Sequence, residues 1–78
     1  MVTLIIDKTS SIVTVRSKDF ADAYKLVSSS TQYIEDVLMY VIVATKLGNK
    51  VTIQIPVEIT TKIVIDEDSS NESVRIHN

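Results

Sequence analysis

Three stretches of the chain have the pattern of apolar and polar residues that predicts β-strands. Residues 2–7 and 11–16 are short β-branched runs joined by a polar Lys-Thr-Ser connection, which indicates a β-hairpin. From Val51 to Ile59 every second residue is apolar, as expected of a strand with one buried face. Val, Ile and Thr make up 30 of the 78 residues, a composition that favours strands.

The region between these stretches has the apolar spacing of a helix. Ser17 is a suitable N-cap, and Asp19 would lie in the first turn. Apolar residues then recur at helical spacing, at Phe20, Ala23, Tyr24 and Val27. We therefore expect a helix that begins near Lys18 and ends around residue 36 or 37, with a break allowed at residues 28–30. A strand over roughly residues 39–46 would follow it.

A single helix that continues to Gly48 is the alternative, with Gly48 at its C′ position. Such a helix would be apolar on both faces between residues 34 and 47. A helix that is apolar all round must be buried all round, and 78 residues cannot easily surround one. We therefore favour the strand, and the expected fold class is α+β. It consists of two β-hairpins around one main helix (β-β-α-β-β), with a short closing strand over residues 73–76.

Two residues define the second hairpin. Gly48, followed by Asn49, separates its two strands and can take the positive φ of a type II′ turn. Pro56 has no backbone N–H to donate, so it marks a strand end or an edge strand. Residues 57–63 fit either a further strand or a weak helical turn.

The size and composition of the chain indicate one small domain, residues 1–78, that needs a partner. A domain of this size buries only about 60% of its unfolded surface. The chain has no cysteine and one histidine, so we expect no disulfide, metal site or cofactor. Because 45% of the residues are nevertheless apolar, we expect a homo-oligomer, most simply a dimer.

Charge is distributed unevenly along the chain. Residues 1–50 carry a net charge of +1 and residues 51–78 a net charge of −3, which together give the overall −2. The acidic residues are concentrated in residues 66–72, which we expect to form a solvated loop, with residues 77–78 as a mobile tail. No signal peptide or membrane-length apolar run is recognisable, so a cytoplasmic protein is expected.

The segment from Lys46 to Ile59, KLGNKVTIQIPVEI, resembles the hairpin of the AbrB/MazE-type swapped-hairpin family of small dimeric DNA-binding regulators and antitoxins. The resemblance covers about residues 39–78. Residues 39–46 match the first strand, LGNK the turn and VTIQ the second strand before Ile55-Pro56. Residues 57–63 occupy the position of the family's short helix. The chain departs from the family at Val64 and Asp68, where glycines are common, and its acidic turn is longer.

The resemblance implies that the chain binds double-stranded DNA as a dimer. The residues implied to face DNA are Lys46, Asn49, Lys50, Thr52 and Gln54. Lysines can neutralise phosphates, and Asn and Gln amides can pair with an adenine edge in the major groove. The residues alone also allow a turn whose lysines only keep a sheet edge soluble.

A protein-binding accessory or inhibitor module is the second hypothesis. It would use an exposed sheet edge, such as residues 51–59, or an apolar helix face. An enzyme is not expected, because a nucleophilic triad needs a base oriented beside the nucleophile, and the single histidine, His77, is next to the last residue.

Overall fold

The three stretches that were predicted to be strands form strands, the third only as far as Pro56, and the segment that was expected to be helical also forms a strand. The computed structural model describes residues 1–66, and 74% of them lie in strands. The strands are β1 (Val2–Asp7), β2 (Ile12–Arg16), β3 (Ala21–Ile34), β4 (Val37–Lys46), β5 (Asn49–Pro56) and β6 (Thr60–Ile65). One turn of 3-10 helix, Val57–Ile59, lies between β5 and β6.

The prediction of an α+β fold with a main helix is wrong. Residues 21–34 form the longest strand of the sheet, and no described residue lies in an α-helix. Three of the apolar residues that suggested a buried helix face, Phe20, Ala23 and Val27, are exposed. Ser17 does cap a local structure, but its Oγ accepts the Asp19 N–H (3.3 Å) in the turn between β2 and β3. Pairing with strands on both sides has therefore overridden a local helical spacing.

The strand order is β5-β4-β3-β2-β1-β6, and only the β1–β6 pair is parallel. The outer strands β5 and β6 would lie about 24 Å apart in a flat sheet of six strands. They are nevertheless joined by the three-residue 3-10 turn, across which the Thr60 hydroxyl donates to the Pro56 carbonyl (2.6 Å). The Lys62 ammonium lies 5.0 Å from the centre of the Tyr40 ring, so β6 also approaches β4. The sheet must therefore curl until its two edges approach each other.

The concave face of the curled sheet holds the core. Its buried side chains come from β1, β2, β4 and β5: Leu4, Ile6, Val13, Val15, Ile42, Ala44 and Ile55. Tyr24 and Leu26 of β3 pack against this cluster from the middle of the sheet. Seven side chains are a small core, which agrees with the marginal stability expected for a chain of this length.

The hairpins predicted on either side of the supposed helix are confirmed as strand pairs, with one change in the second turn. Leu47 (φ 54°) and Gly48 (φ 82°) are its central residues, and Lys46 pairs with Asn49. Two consecutive positive φ angles define a type I′ turn, so the predicted type II′ turn at Gly48-Asn49 is displaced by one residue. Pro56 ends β5, an edge strand, as predicted.

Leu47→Asn is expected to raise the free energy of unfolding by about 0.5–1 kcal/mol, because Asn tolerates a left-handed conformation that strains leucine. The Leu47 side chain is 94% exposed, so its removal forfeits little packing. Urea unfolding monitored by circular dichroism measures the change. Leu47→Ala keeps the strained β-carbon and is the control; an equal gain from alanine would contradict the explanation.

Several predicted features lie outside the described residues. These are the closing strand at residues 73–76, the acidic loop beyond Asp66 and the tail at residues 77–78. The 57–63 segment, left open by the sequence, is divided between the 3-10 turn and the first part of β6.

Candidate interaction surface

The strand β4 is apolar on both faces of the sheet. Ile42 and Ala44 point into the core, together with the half-buried Tyr40. The alternate residues therefore point outward, and they are also apolar: Val37, Met39, Val41 and Val43. None of these four packs against the core cluster. We call them the outer stripe. A strand with two apolar faces is typical of a sheet that is covered on both sides.

The rows that flank the outer stripe are uncharged. Cross-strand partners in an antiparallel sheet share a face, so the register identifies the neighbours. On β3 they are Ser28, Ser30, Gln32 and Ile34, and on β5 they are Thr52, Gln54 and Pro56. The surface is thus an apolar strip with a polar, neutral rim. Val37 is its most exposed member, at 45%.

The five residues implied to face DNA lie on two faces of the sheet. Lys46 pairs with Asn49 on the concave side, in line with Ala44 and Ile42. Lys50, Thr52 and Gln54 lie on the convex side, where they are exposed next to the outer stripe. The two groups therefore project from opposite faces of the β4–β5 hairpin. The two structural residues, Gly48 and Pro56, are at the two ends of β5.

Lys46 is already engaged within the chain. Its Nζ lies 3.0 Å from Asp22 Oδ1 and 5.1 Å from the centre of the Tyr24 ring. Both charged side chains are nearly half exposed, so the ion pair contributes at most about 1 kcal/mol. The Asp22 carboxylate still neutralises the charge of Lys46, which is one of the two lysines of the hairpin. DNA binding by this hairpin therefore stays a prediction, and no contact among the described residues supports it.

The described residues contain no arrangement that suggests catalysis or metal binding. No group of three or more His, Cys, Asp or Glu side chains occurs among residues 1–66. One surface groove, about 520 Å³, lies beside the turn that holds Leu47. Its titratable lining residues are Tyr24, Lys25 and Lys46, which do not provide a nucleophile with a base. That the chain is not an enzyme stays a prediction.

The sequence contained a signal for the outer stripe. Residues 37–44 are an uninterrupted apolar run, and this run was the reason for rejecting a long helix. In a strand the same run means two apolar faces, one of which the core does not use. Finding the uncovered face requires the register of β4 against β3 and β5, which only the structure provides.

Comparison of the chain with protein-family models, with curated proteins and with solved structures gave no match. The resemblance to the swapped-hairpin family is therefore untested by these comparisons. Of the elements which that resemblance implies, the hairpin of β4 and β5 is present, whereas three residues of 3-10 helix occupy the position of the family's helix. No helix within residues 1–66 is long and apolar enough to span a membrane.

Proposed function

We propose that this chain is a non-catalytic protein-binding module that docks through the outer stripe of β4. The observation that carries the proposal is the uncovered second apolar face of a strand in the middle of the β3–β4–β5 hairpins. Contiguous apolar surface with a polar rim is characteristic of protein-docking sites. A cytoplasmic location stays a prediction from composition.

The chemistry of the stripe restricts the partner surface. None of the eleven residues in the stripe and its flanking rows is charged. Burying a charge without a counter-charge is costly, so a strongly charged partner surface would find nothing here to compensate it. The expected partner surface is an apolar protein face with serine, threonine or amide groups around it. The neighbouring Lys50 can add a contact at the rim.

The double variant Val41→Thr/Val43→Thr is expected to weaken partner binding on the order of tenfold or more, because it buries two hydroxyls in an apolar contact. Threonine keeps the β-branched shape and the strand propensity, so the fold should persist. The measurement is capture of proteins from an extract of the source cells by the immobilised chain at 0.5 M salt, compared between wild type and variant.

Ile12→Thr is the control, since it also introduces a threonine hydroxyl in place of an apolar β-branched side chain, at an exposed position outside the stripe. A protein retained by wild type and by this control, but lost with the double variant, is the expected result. Equal retention by all three chains, or no retained protein, would overturn the proposal. Retention that disappears with nuclease treatment would instead favour nucleic-acid binding.

A further inference from the structure

The second edge of the sheet, β6, has little of the protection that edge strands usually carry, because it has one inward-pointing lysine and neither a proline nor a bulge. Natural edges carry charges, prolines or bulges that prevent pairing with another chain. The strand β6, TTKIVI, has no proline and pairs with β1 in an uninterrupted register. Its one charge, Lys62, points to the concave side, with its Nζ 5.0 Å from the centre of the Tyr40 ring. Ile63, Val64 and Ile65 are each more than 40% exposed.

The backbone groups of β6 that face outward can be identified. The Lys8 N–H donates to the Ile65 carbonyl (2.8 Å), so Ile65 bonds towards β1. Because bonding direction alternates along a strand, Ile63 and Thr61 also bond towards β1. The N–H and C=O groups of Lys62 and Val64 therefore point away from the sheet. Among the described residues no strand pairs with this side of β6.

We propose that this edge pairs with the β6 strand of a second copy of the chain, antiparallel, with Ile63 opposite Ile63 of the other copy on the two-fold axis. The result is one continuous sheet of twelve strands. This edge is separate from the outer stripe, so the pairing of two copies does not depend on the proposed function.

The sequence of β6 is self-complementary in this register. A two-fold axis normal to the sheet keeps each face of the sheet on its own side. One residue of the strand must then lie directly opposite its own copy, with the axis midway between the two. An axis at Lys62 would place two like charges opposite each other, which is unfavourable. An axis at Val64 would leave Thr61 without a partner inside β6. An axis at Ile63 pairs every residue from 61 to 65, and Lys62 then faces Val64 of the other copy.

The same register satisfies the free backbone groups. Lys62 and Val64 of opposite copies form hydrogen-bonded pairs, and Ile63 forms the non-hydrogen-bonded pair in which side chains approach most closely. Ile5 is the neighbour of Ile63 on β1. The convex face of the dimer would therefore carry a row of four isoleucines, Ile5 and Ile63 from each copy. A second copy fits this edge without any charged residue meeting its like.

A single cysteine tests the register directly, because the chain has no cysteine of its own. In the proposed dimer the two Ile63 Cα atoms lie about 4.5 Å apart, within the range of a disulfide. Thr61 faces the same side of β6, but the two copies of Thr61 would lie about 14 Å apart. Under mild oxidation, Ile63→Cys should form most of the cross-linked dimer seen on a non-reducing gel. Thr61→Cys should form at least tenfold less.

A second variant tests the edge without the disulfide. Val64→Pro removes an outward N–H and leaves the bonds to β1 in place, so it should convert the wild-type dimer to a monomer in analytical ultracentrifugation. Circular dichroism confirms that the sheet persists. A wild-type chain that is monomeric at about 100 μM, or equal cross-linking of the two cysteine variants, would overturn the proposal. So would a dimer that Val64→Pro leaves intact, including one formed through the outer stripe.

Discussion

Replacing Leu4 with alanine is expected to lower the free energy of unfolding by about 2–5 kcal/mol. Leu4 is fully buried at the centre of β1, the strand that joins the β6 edge to the rest of the sheet. Removing its side chain loses buried apolar area and leaves a cavity that the surrounding strands can only partly fill. The core has seven such side chains, so few others can compensate for the loss.

This loss is large in comparison with the total free energy of unfolding of a small domain, which is about 5 kcal/mol. We therefore expect Leu4→Ala to be mostly unfolded at 37 °C and to lose its cooperative urea transition. Leu47→Ala makes the same change at a side chain that is 94% exposed, and it should leave the urea midpoint almost unchanged. The two variants must be compared at one protein concentration, because a dimer is stabilised by mass action. Similar midpoints would show that Leu4 is not in the core.

The strands could be predicted from two local signals. In β5 the residues that alternate between apolar and polar in the sequence also alternate in burial. In β1 and β2 the signal was the density of β-branched residues, which favours strands. These strands were predictable because each signal lies within a few consecutive residues.

The helix was predicted wrongly because β3 alternates between less and more exposed residues only in its first half. Its first half alternates, with Asp22, Tyr24 and Leu26 less exposed than their neighbours, but a register shift follows Leu26. Beyond the shift, residues 28–33 are all exposed and mostly polar. Nothing local in that segment demands a strand, and its conformation depends on the hydrogen bonds that β4 offers. Such long-range pairing is invisible to a window of a few residues.

The candidate surface shows the same division between local and long-range information. The apolar run of residues 37–44 shows that both faces of β4 are apolar. The separation of Lys46 and Asn49 from Lys50, Thr52 and Gln54 follows from the alternation of side chains along β4 and β5. The turn decides which residues of the two strands lie opposite each other, because moving a two-residue turn by one position shifts the pairing by two residues and keeps the faces. A type I′ turn at Leu47-Gly48 was not expected, since leucine rarely occupies its first central position.

Gly48→Val is therefore expected to cost about 1–2 kcal/mol of the free energy of unfolding. Gly48 has a φ of 82°, a conformation that is unfavourable for a β-branched residue. A β-carbon added at this position would meet no atom within 4 Å, so the cost comes from the backbone and not from a clash. Chemical unfolding in urea measures this cost. Because the added side chain contacts no other atoms, the difference between wild type and variant contains no change in packing.

Gly48→Asn separates the conformational cost from the loss of glycine itself. Asparagine adopts positive φ more readily than valine, so its variant should lose less than half as much stability. Equal losses would mean that Leu47-Gly48 does not form the turn, and the pairing of Lys46 with Asn49 would then be wrong as well. The assignment of Lys50, Thr52 and Gln54 to the convex face would remain, because Ile55 of the same strand is buried on the other face. The turn variant is thus a test of the register between β4 and β5.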